Sequence, residues 1–443
     1  MARIAIIGGG ISGLAAAHLL HRRHDIVLFE KAHRVGGHTR TLEIRYGDRE
    51  IAVDTGFIVF NRRNYPLLTR LFADLGVATQ ESDMSFGVTI GGGRLEWGAR
   101  NLNAMFGQRR NLLRPSFYRL MRDVFHFNAH ALNAVTEMPD LTLGELLAQM
   151  GLGRGFRLHY LLPMGGAIWS CPPRQMLEFP AASFVRFFHN HGLLSVSGQP
   201  QWYTVTGGAQ NYVARMTRPF AHRVRTACAI VSVTREANGI RVADSHGRTE
   251  CFEHVVFASH GDETLTMLRD ATAEERAVLG AFRYQRNRAI LHRDVSVMPR
   301  RRRCWASWVY QSDGSGEEAS LAVSYWMNRL QSLDPDCPLF VTLNPAREIP
   351  HEFVFDEHEF HHPVFDAGAV AAQKRLPAMQ GRQGIWYCGA HLGNGFHEDG
   401  LASAVAVAQA LDETARMPVA HAFGPGGPSP LRAADEALRQ SVG

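Results

Sequence analysis

The chain opens with a regular succession of apolar runs and small residues. Arg3 to Ile7 is a short run rich in isoleucine that stops at glycine, which is typical of a strand buried in a parallel sheet. Leu14 to His21 is rich in alanine and leucine and predicts a helix, and Asp25 to Phe29 is a second extended apolar run. A strand, a helix and a second strand in this order predict an α/β fold with a parallel sheet.

The turn between the first strand and the helix reads GGGISG, in which Gly8, Gly10 and Gly13 match G-x-G-x-x-G. The first glycine permits a tight turn, the second lets backbone approach a pyrophosphate, and the third allows close helix packing. Ser12 stands in the first helical turn, where amides and the helix dipole favour phosphate. Glu30 ends the second strand at the spacing of an acid that binds ribose hydroxyls. Together these residues predict a dinucleotide site.

Composition and charge narrow the class of protein. A chain of 443 residues with 45% hydrophobic and 20% charged content is globular and too large for one simple core. The net charge of +5 is spread along the chain without a nucleic-acid motif, so we expect no nucleic-acid partner. Six scattered cysteines without a C-x-x-C pair predict a reducing compartment and no metal site.

Neither a signal peptide nor a long apolar stretch is visible, which predicts a cytoplasmic protein. Peripheral contact with the inner face of a membrane stays open. We interpret the run Arg300 to Arg303 as a solvated loop, with a phosphorylated or membrane headgroup as the alternative partner.

The segment after the second strand, KAHRVGGHTRT, resembles the R-x-G-G-R-x-x-[ST] motif of the flavin amine oxidase and carotenoid desaturase superfamily. The resemblance implies bound FAD. It assigns the following residues to the diphosphate and ribityl chain: Lys31, Arg34, Gly36, Gly37, His38 and Thr39. His38 replaces the second arginine of the motif, and either His38 or Arg34 is expected to supply a donor. Val53 to Ile58 resembles the D-x-G segment, which places Gly56, Phe57 and Ile58 beside the flavin ring.

A further FAD segment is recognisable towards the end of the chain. Ile385 to Cys388 predicts a strand that ends at Gly389, and an alanine-rich helix is predicted to start near Gly400. Asp399, Gly400 and Leu401 correspond to the superfamily's E-G-A. The amides of Gly400 and Leu401 are therefore expected to stabilise negative charge on the flavin pyrimidine.

The resemblance implies a Rossmann-like FAD-binding domain interleaved with an α+β substrate domain. The FAD domain is predicted to comprise residues 1–75, 196–265 and 356–415, the substrate domain residues 76–195 and 266–355, and a flexible tail residues 416–443. Within the second FAD segment, Ile230 takes the position whose backbone meets the adenine. The substrate domain begins with aromatic-rich helices predicted at Pro115 to Asn133 and Leu141 to Met150.

Four shorter motifs, GFHEDGL, SYWMNRLQ, LFVTLNP and HPVF, indicate a closer resemblance. They are similar to amine-oxidase-like flavoproteins that form the N-terminal half of plant cyclopropane fatty acid synthases and also occur as free-standing bacterial proteins. Some of the bacterial members desaturate methylated unsaturated acyl chains in furan fatty acid synthesis. The resemblance therefore implies an FAD-dependent desaturase with a hydrophobic or lipid acyl substrate.

The residues that would carry the chemistry differ from those of amine oxidases. Amine oxidases of this superfamily place a lysine near flavin N5, and the matching stretch Phe282 to Asp294 contains none. His397, just before the last helix, is the candidate base, because the unperturbed pKa of histidine lies near working pH. In the alternative interpretation His397 only orients its loop. An amine or porphyrinogen-type oxidase and a flavoprotein with a redox-neutral or structural role remain the competing functions.

Overall fold

The computed structural model describes residues 1–169, 171–195, 198–312, 322–413 and 415. Its strands are β1 Arg3–Ile7, β2 Asp25–Phe29, β3 Thr41–Tyr46, β4 Arg49–Asp54, β5 Phe60–Asn61, β6 Thr79–Ser82, β7 Phe86–Ile90, β8 Leu95–Gly98, β9 Trp202–Val205, β10 Val224–Arg225, β11 Ile230–Glu236, β12 Gly239–Asp244, β13 Thr249–Phe252, β14 His254–Phe257, β15 Arg283–His292, β16 Trp308–Ser312, β17 Ala322–Trp326, β18 Phe340–Leu343, β19 Val354–Val364 and β20 Ile385–Tyr387.

The helices are α1 Ile11–Leu20, α2 Pro66–Asp74, α3 Leu102–Met105, α4 Pro115–Glu137, α5 Leu143–Gln149, α6 Arg154–Phe156, α7 Leu162–Trp169, α8 Pro173–Leu177, α9 Ala181–Asn190, α10 Gln210–Thr217, α11 Gly261–Met267, α12 Ala273–Leu279, α13 Met327–Leu330, α14 Ala367–Arg375 and α15 His397–Leu411. None of these helices is long and apolar enough to cross a membrane.

A five-stranded parallel sheet forms the first layer of the molecule, with the strand order β10, β2, β1, β14, β20. The central strands β1 and β2 are buried along nearly their whole length, as continuous apolar strands covered on both faces must be. Helix α1 follows β1 directly, as the glycine turn indicates. This sheet confirms the predicted α/β fold.

A second body is built on a seven-stranded sheet in the order β19, β15, β18, β17, β16, β7, β8. The long strands β15 and β19 pair antiparallel from Arg283 opposite Val364 to His292 opposite Val354. Helices α4 to α9 supply an aromatic core beside this sheet, including Phe127, Phe156 and Phe184. An interleaved α+β body of this kind is what the resemblance implies.

Several element boundaries differ from the sequence-based expectation. Residues 356–364, predicted in the FAD domain, lie in β19 and pair with β15 in the seven-stranded sheet. Strand β9, also predicted in the FAD domain, lies between β5 of the first predicted FAD segment and β6 of the predicted substrate domain. Helix α4 continues four residues past Asn133, and α15 begins at His397 rather than near Gly400. The predicted tail 416–443 lies outside the described residues.

Candidate functional site

The glycine turn lies at the carboxyl edge of the parallel sheet, between β1 and α1. Gly8 has φ +111°, and a side chain there would place its Cβ 2.6 Å from the carbonyl oxygen of Ala258. A Cβ on Gly13 would lie only 1.9 Å from the carbonyl oxygen of Gly8. At Gly10, by contrast, a Cβ would meet nothing within 4 Å. The turn is therefore crowded at its first and third glycines and open at its second, where a phosphate must approach.

Glu30 ends β2 and holds this turn through its carboxylate. Oε2 accepts a hydrogen bond from the N–H of Gly9 at 2.7 Å, and Oε1 accepts one from the N–H of Ala32 at 2.8 Å. Each carboxylate oxygen keeps a second lone pair, so ribose hydroxyls can still bind. The neighbouring Lys31 is exposed and lies 2.5 Å from the carboxylate of Glu263 in a surface ion pair.

The segment from Arg34 to Thr39 lies directly against the glycine turn. The N–H of Gly36 donates to the carbonyl oxygen of Gly9 at 2.7 Å, and a Cβ on Gly37 would lie 3.0 Å from Cα of Gly10. Arg34 is half-buried, and its guanidinium lies 3.4 Å from the carbonyl oxygen of Thr39. The two segments assigned to the diphosphate are thus one continuous surface.

The third segment, Gly56 to Ile58, runs beside the second. The N–H of Phe57 donates to the carbonyl oxygen of His38 at 2.8 Å, and a Cβ on Gly56 would lie 2.0 Å from that same oxygen. The carbonyl oxygen of Ile58 accepts a hydrogen bond from the hydroxyl of Thr204 at 2.7 Å. Glycine is required at position 56 because the two backbones touch.

His397 joins the last helix to these segments. Its Nε2 lies 3.0 Å from the hydroxyl of Thr39 and 3.1 Å from that of Tyr212, and its ring stacks on Phe57 at 3.8 Å. Burial lowers the pKa of His397 to about 3. A neutral ring fixed by two hydroxyls and an aromatic face orients the loop, which supports the alternative interpretation. Its role as a base stays a prediction.

The start of α15 corrects the expectation for Gly400 and Leu401. Because the helix begins at His397, the N–H of Gly400 already donates to the carbonyl oxygen of Phe396 at 3.1 Å, and that of Leu401 points one turn back along the helix. The amides left for a ligand belong to the first turn. Gly400 serves packing instead, since a Cβ there would lie 2.8 Å from Oγ of Ser12 in α1.

Two acidic residues of the same helix are committed to backbone amides. The carboxylate of Asp399 accepts from the N–H of Phe396 at 2.9 Å, which fixes the loop before the helix. Glu398 accepts from the N–H groups of Leu67 at 2.8 Å and Leu68 at 3.0 Å, in the first turn of α2. Burial raises the pKa of Asp399 to about 6 and that of Glu398 to about 7. No sequence pattern indicates the contact between Glu398 and α2.

The remaining predicted positions lie along the same sheet edge. Gly389 follows β20 and donates its N–H to the hydroxyl of Ser403 at 2.9 Å. Ile230 is buried at the start of β11. The chain just before it runs beside β2, because the N–H of Cys228 donates to the carbonyl oxygen of Glu30 at 2.9 Å.

The ring of His38 packs against strand β19, a contact that the motif does not indicate. It stacks on Phe360 with ring centroids 5.0 Å apart and lies 5.3 Å from His362. Burial, followed by the neighbouring His362, lowers the pKa of His38 well below its ordinary value. His362 in turn lies 2.9 Å from the side-chain amide of the buried Asn287. Asn287 of β15, which belongs to the stretch in which the sequence lacks a lysine, is thus paired with His362 of β19 beside His38.

Asp54 is a buried acid of the motif Val53 to Ile58, to which the sequence patterns assign no role. Its carboxylate accepts hydrogen bonds from Thr41 at 2.5 Å, from the N–H of Ala209 at 2.9 Å and from the amide of Gln331 at 2.9 Å. Burial raises the pKa of Asp54 to about 7, against the effect of these donors. The residue ties three distant segments to the strand that leads into Gly56.

The four segments leave a polar, accessible surface that suits a dinucleotide. Gly37 is exposed, and Gly10 and Gly56 are partly exposed. Two buried polar atoms beside them, His38 Nε2 and Gln210 Oε1, have no hydrogen-bond partner within the described residues. No group of three or more His, Cys, Asp or Glu side chains in those same residues is arranged to hold a metal ion.

Comparison with known protein families identifies the family of the chain. The model of the flavin containing amine oxidoreductase family matches residues 11–284. The chain belongs to this family. Membership of this family implies a flavin cofactor, which is FAD in this superfamily, and the predicted cofactor is confirmed.

Individual relatives of this oxidoreductase cover several chemistries. A flavin-containing monoamine oxidase, AofH of Mycobacterium tuberculosis, is 25% identical over 258 residues, which are 56% of this chain and 54% of the relative. The chain thus spans about half the length of this curated relative. A CLA-producing fatty acid isomerase from P. acnes has 17% identity and a TM-score of 0.65 over 92% of this chain and 98% of its own. A protoporphyrinogen oxidase from Exiguobacterium sp. 255-15 has 18% identity and a TM-score of 0.65 over 93% and 98%. These structures share the fold.

Proposed function

We propose that this oxidoreductase desaturates a fatty-acyl chain, in particular a methylated unsaturated one. Two C–H bonds break and a C=C bond forms, one hydrogen leaving as a hydride that bound FAD accepts and the other as a proton that passes to a base. An unactivated alkyl C–H is a poor acid. The reacting carbon is therefore expected to lie next to an existing double bond.

The aromatic surroundings of the loop before α15 carry this proposal. Phe396 of that loop stacks on Phe187 of α9 at 5.1 Å and lies 6.1 Å from the ring of His191. Phe187 in turn lies 4.7 Å from Trp169, within the aromatic core of the second body. Each methylene moved from water to such surroundings contributes about 0.8 kcal/mol, so an acyl chain gains affinity with length.

The same region offers poor partners for an ammonium group. Glu398 and Asp399, the acids closest to Phe396 in the chain, already accept backbone hydrogen bonds. The two lysines of the chain, Lys31 and Lys374, are both exposed. These observations favour an apolar substrate over an amine.

Orientation by hydrogen bonds is the role we propose for His397. Its Nε2 and the hydroxyls of Thr39 and Tyr212 form one network, since those two hydroxyls lie 2.5 Å apart. The network joins the second cofactor segment to the last helix. Proton acceptance by His397, the role predicted from sequence, is the competing hypothesis.

Anaerobic mixing of the FAD-loaded protein with three substrate classes tests the proposed function. We expect a methyl-branched monounsaturated acyl lipid to bleach the flavin absorbance and to be recovered two hydrogen atoms lighter by mass spectrometry. Bleaching by amines or by a porphyrinogen alone would overturn the proposal in favour of the oxidase alternatives. An acyl chain that is isomerised at unchanged mass without net bleaching would establish a redox-neutral role instead.

A pair of matched variants locates the acyl chain. Phe396→Ala should weaken binding of the chain, because the loop loses its contact with Phe187. Phe355→Ala is the control, since this partly buried phenylalanine packs on Tyr46 at 5.5 Å instead. Equal effects of both changes on the Michaelis constant would remove the Phe396 loop from the binding site.

A further inference from the structure

An open groove of about 570 Å³ lies outside the site described above. Gly107 and Gln108 line it together with five arginines, Arg109, Arg110, Arg301, Arg302 and Arg303. Arg94 and Arg114 stand beside them. Burial is the main cause that lowers the pKa of Arg114, and the charges of Arg110, Arg301 and Arg94 lower it further. We name these seven arginines the arginine face.

Nearly all of this positive charge lacks an acidic partner. Arg301 pairs with Glu96 at 2.7 Å, and Glu96 is fully buried. Nowhere in the described ranges does a carboxylate lie within ion-pair distance of the other six arginines of the face. The side chains of Arg109, Arg110 and Arg114 meet neutral oxygens instead, as Arg109 does with the carbonyl oxygen of Phe106 at 3.0 Å. The guanidinium of Arg302 lies over the ring of Trp305, 4.4 Å from its centre. The arginine face therefore attracts a surface rich in anions.

Exposed apolar side chains border the arginine face. Of the eight large hydrophobic residues exposed in the described part of the chain, five fall between residues 102 and 125, namely Leu102, Leu112, Leu113, Tyr118 and Phe125. Leu113 is 87% exposed and Leu102 73%. Leu112 and Leu113 belong to the same 3-10 turn, Arg109–Leu113, as two of the groove arginines. Tyr118 and Phe125 are seven residues apart on α4 and so share one face of that helix.

Arginines beside protruding leucines and aromatic rings match the interface of an anionic bilayer. Lipid phosphates satisfy the guanidinium groups, while leucine and phenylalanine side chains enter the boundary between headgroups and acyl chains. A nucleic acid or a free phosphate would use the charge but would leave the leucines in water. Arginines and exposed apolar side chains on one segment therefore favour a lipid surface over a nucleic acid or a free phosphate.

We propose that the arginine face and its bordering apolar residues dock this protein on an anionic phospholipid surface. This inference goes beyond the proposed desaturase function and stands without it, because docking requires neither FAD reduction nor an acyl substrate in the site. It replaces the solvated loop that the sequence suggests for Arg300 to Arg303.

Sedimentation of the FAD-loaded protein with vesicles tests the docking surface. We expect binding to vesicles of phosphatidylcholine and phosphatidylglycerol, weak binding to phosphatidylcholine alone, and release as salt screens the charges. Arg302→Gln/Arg303→Gln should lower the partition coefficient by about fivefold for each arginine. Leu102→Ser/Leu113→Ser should lower it by about tenfold for each leucine.

Two exposed pairs elsewhere on the surface are matched controls. Arg22→Gln/Arg23→Gln repeats the loss of two adjacent exposed arginines, and Val231→Ser/Val295→Ser repeats the loss of two exposed apolar side chains. Both controls should leave the partition coefficient unchanged. Flavin content and thermal unfolding should be unchanged in all four variants, because every altered side chain is exposed.

Three results would overturn the docking proposal. The first is equal binding to both kinds of vesicle. The second is unaltered binding of the Arg302/Arg303 or the Leu102/Leu113 variant. The third is displacement of the protein from vesicles by glycerol phosphate or by a single-stranded oligonucleotide, at concentrations too low to change the ionic strength appreciably. Such displacement would identify a soluble phosphate or a polyanion as the ligand.

Discussion

Replacing His397 separates the two roles open to this residue. His397→Gln removes the basic ring but keeps polar atoms able to reach the hydroxyls of Thr39 and Tyr212. His397→Ala removes both. If the histidine orients the loop, the glutamine variant should resemble the wild type; if it accepts the proton, both variants should fail alike.

The stability cost of each variant follows from the contacts. Two hydrogen bonds, at 3.0 Å and 3.1 Å, contribute about 1 kcal/mol each. The stack on Phe57 at 3.8 Å contributes about 1 kcal/mol more. We therefore expect His397→Ala to lower the free energy of unfolding by about 3 kcal/mol. His397→Gln should lower it by about 1 kcal/mol, because only the stack is lost.

Urea unfolding measures these costs, and anaerobic flavin reduction by the acyl substrate measures the chemistry. An orienting role predicts that His397→Gln reduces its flavin at nearly the wild-type rate. It also predicts that the wild-type rate of flavin reduction, measured as a function of pH, shows no inflection near the ordinary histidine pKa, because the pKa of His397 is lowered to about 3. A loss of about two to four orders of magnitude in His397→Gln, with stability and FAD retained, would refute the reasoning and identify a base.

Three further predictions concern the acids of the site. Glu30→Ala should weaken FAD binding by about 1–3 kcal/mol in a titration of the apoprotein, because buried ribose hydroxyls lose a charged acceptor; an unchanged dissociation constant would remove Glu30 from the site. Asp54→Asn should destabilise the protein more at pH 4 than at pH 8 in urea unfolding. Because folding raises the pKa of Asp54 from 3.8 to about 7, the stability that this group contributes is fully present below the unfolded pKa and is lost as pH rises from there through 7. Glu398→Gln should cost about 1–3 kcal/mol of stability, because one of two amide donors of α2 loses its acceptor; an unchanged unfolding midpoint would contradict this contact.

The nucleotide-binding part of the fold could be predicted from the sequence because its signals are local. The glycine turn, α1 and Glu30 follow each other within thirty residues, and each imposes its own backbone requirement. Strand β19 was not readable, because its sequence, VFDEHEFHHPV, is polar and rich in histidine and takes strand form only through its pairing with β15. The orientation of His38 depends on that strand and could not be foreseen from the motif.

Contacts between segments far apart in sequence account for the rest. Asp54 was visible as part of a motif, but its partner Gln331 lies 277 residues away. Glu398 was visible beside His397, but its contact with the start of α2 spans 331 residues. Helix α15 begins earlier than predicted because the carboxylate of Asp399 accepts a hydrogen bond from the N–H of Phe396 and so caps the first turn, which only the folded loop reveals.

The position of β20 beside β14 has a consequence for how the protein is made. The glycine turn leaves the ribosome early, whereas β20 and α15, which complete the same sheet edge, follow about 380 residues later. At typical synthesis rates this delay is roughly 20 to 80 s. Strand β1 lacks its neighbour β14 for about 250 residues of synthesis, and β14 then lacks β20 for about 130 more, so these strand edges need protection from aggregation. If FAD binds at this completed edge, it can stabilise the protein only after β20 and α15 have been made, so cellular FAD supply should control the yield of folded chain rather than its rate of translation.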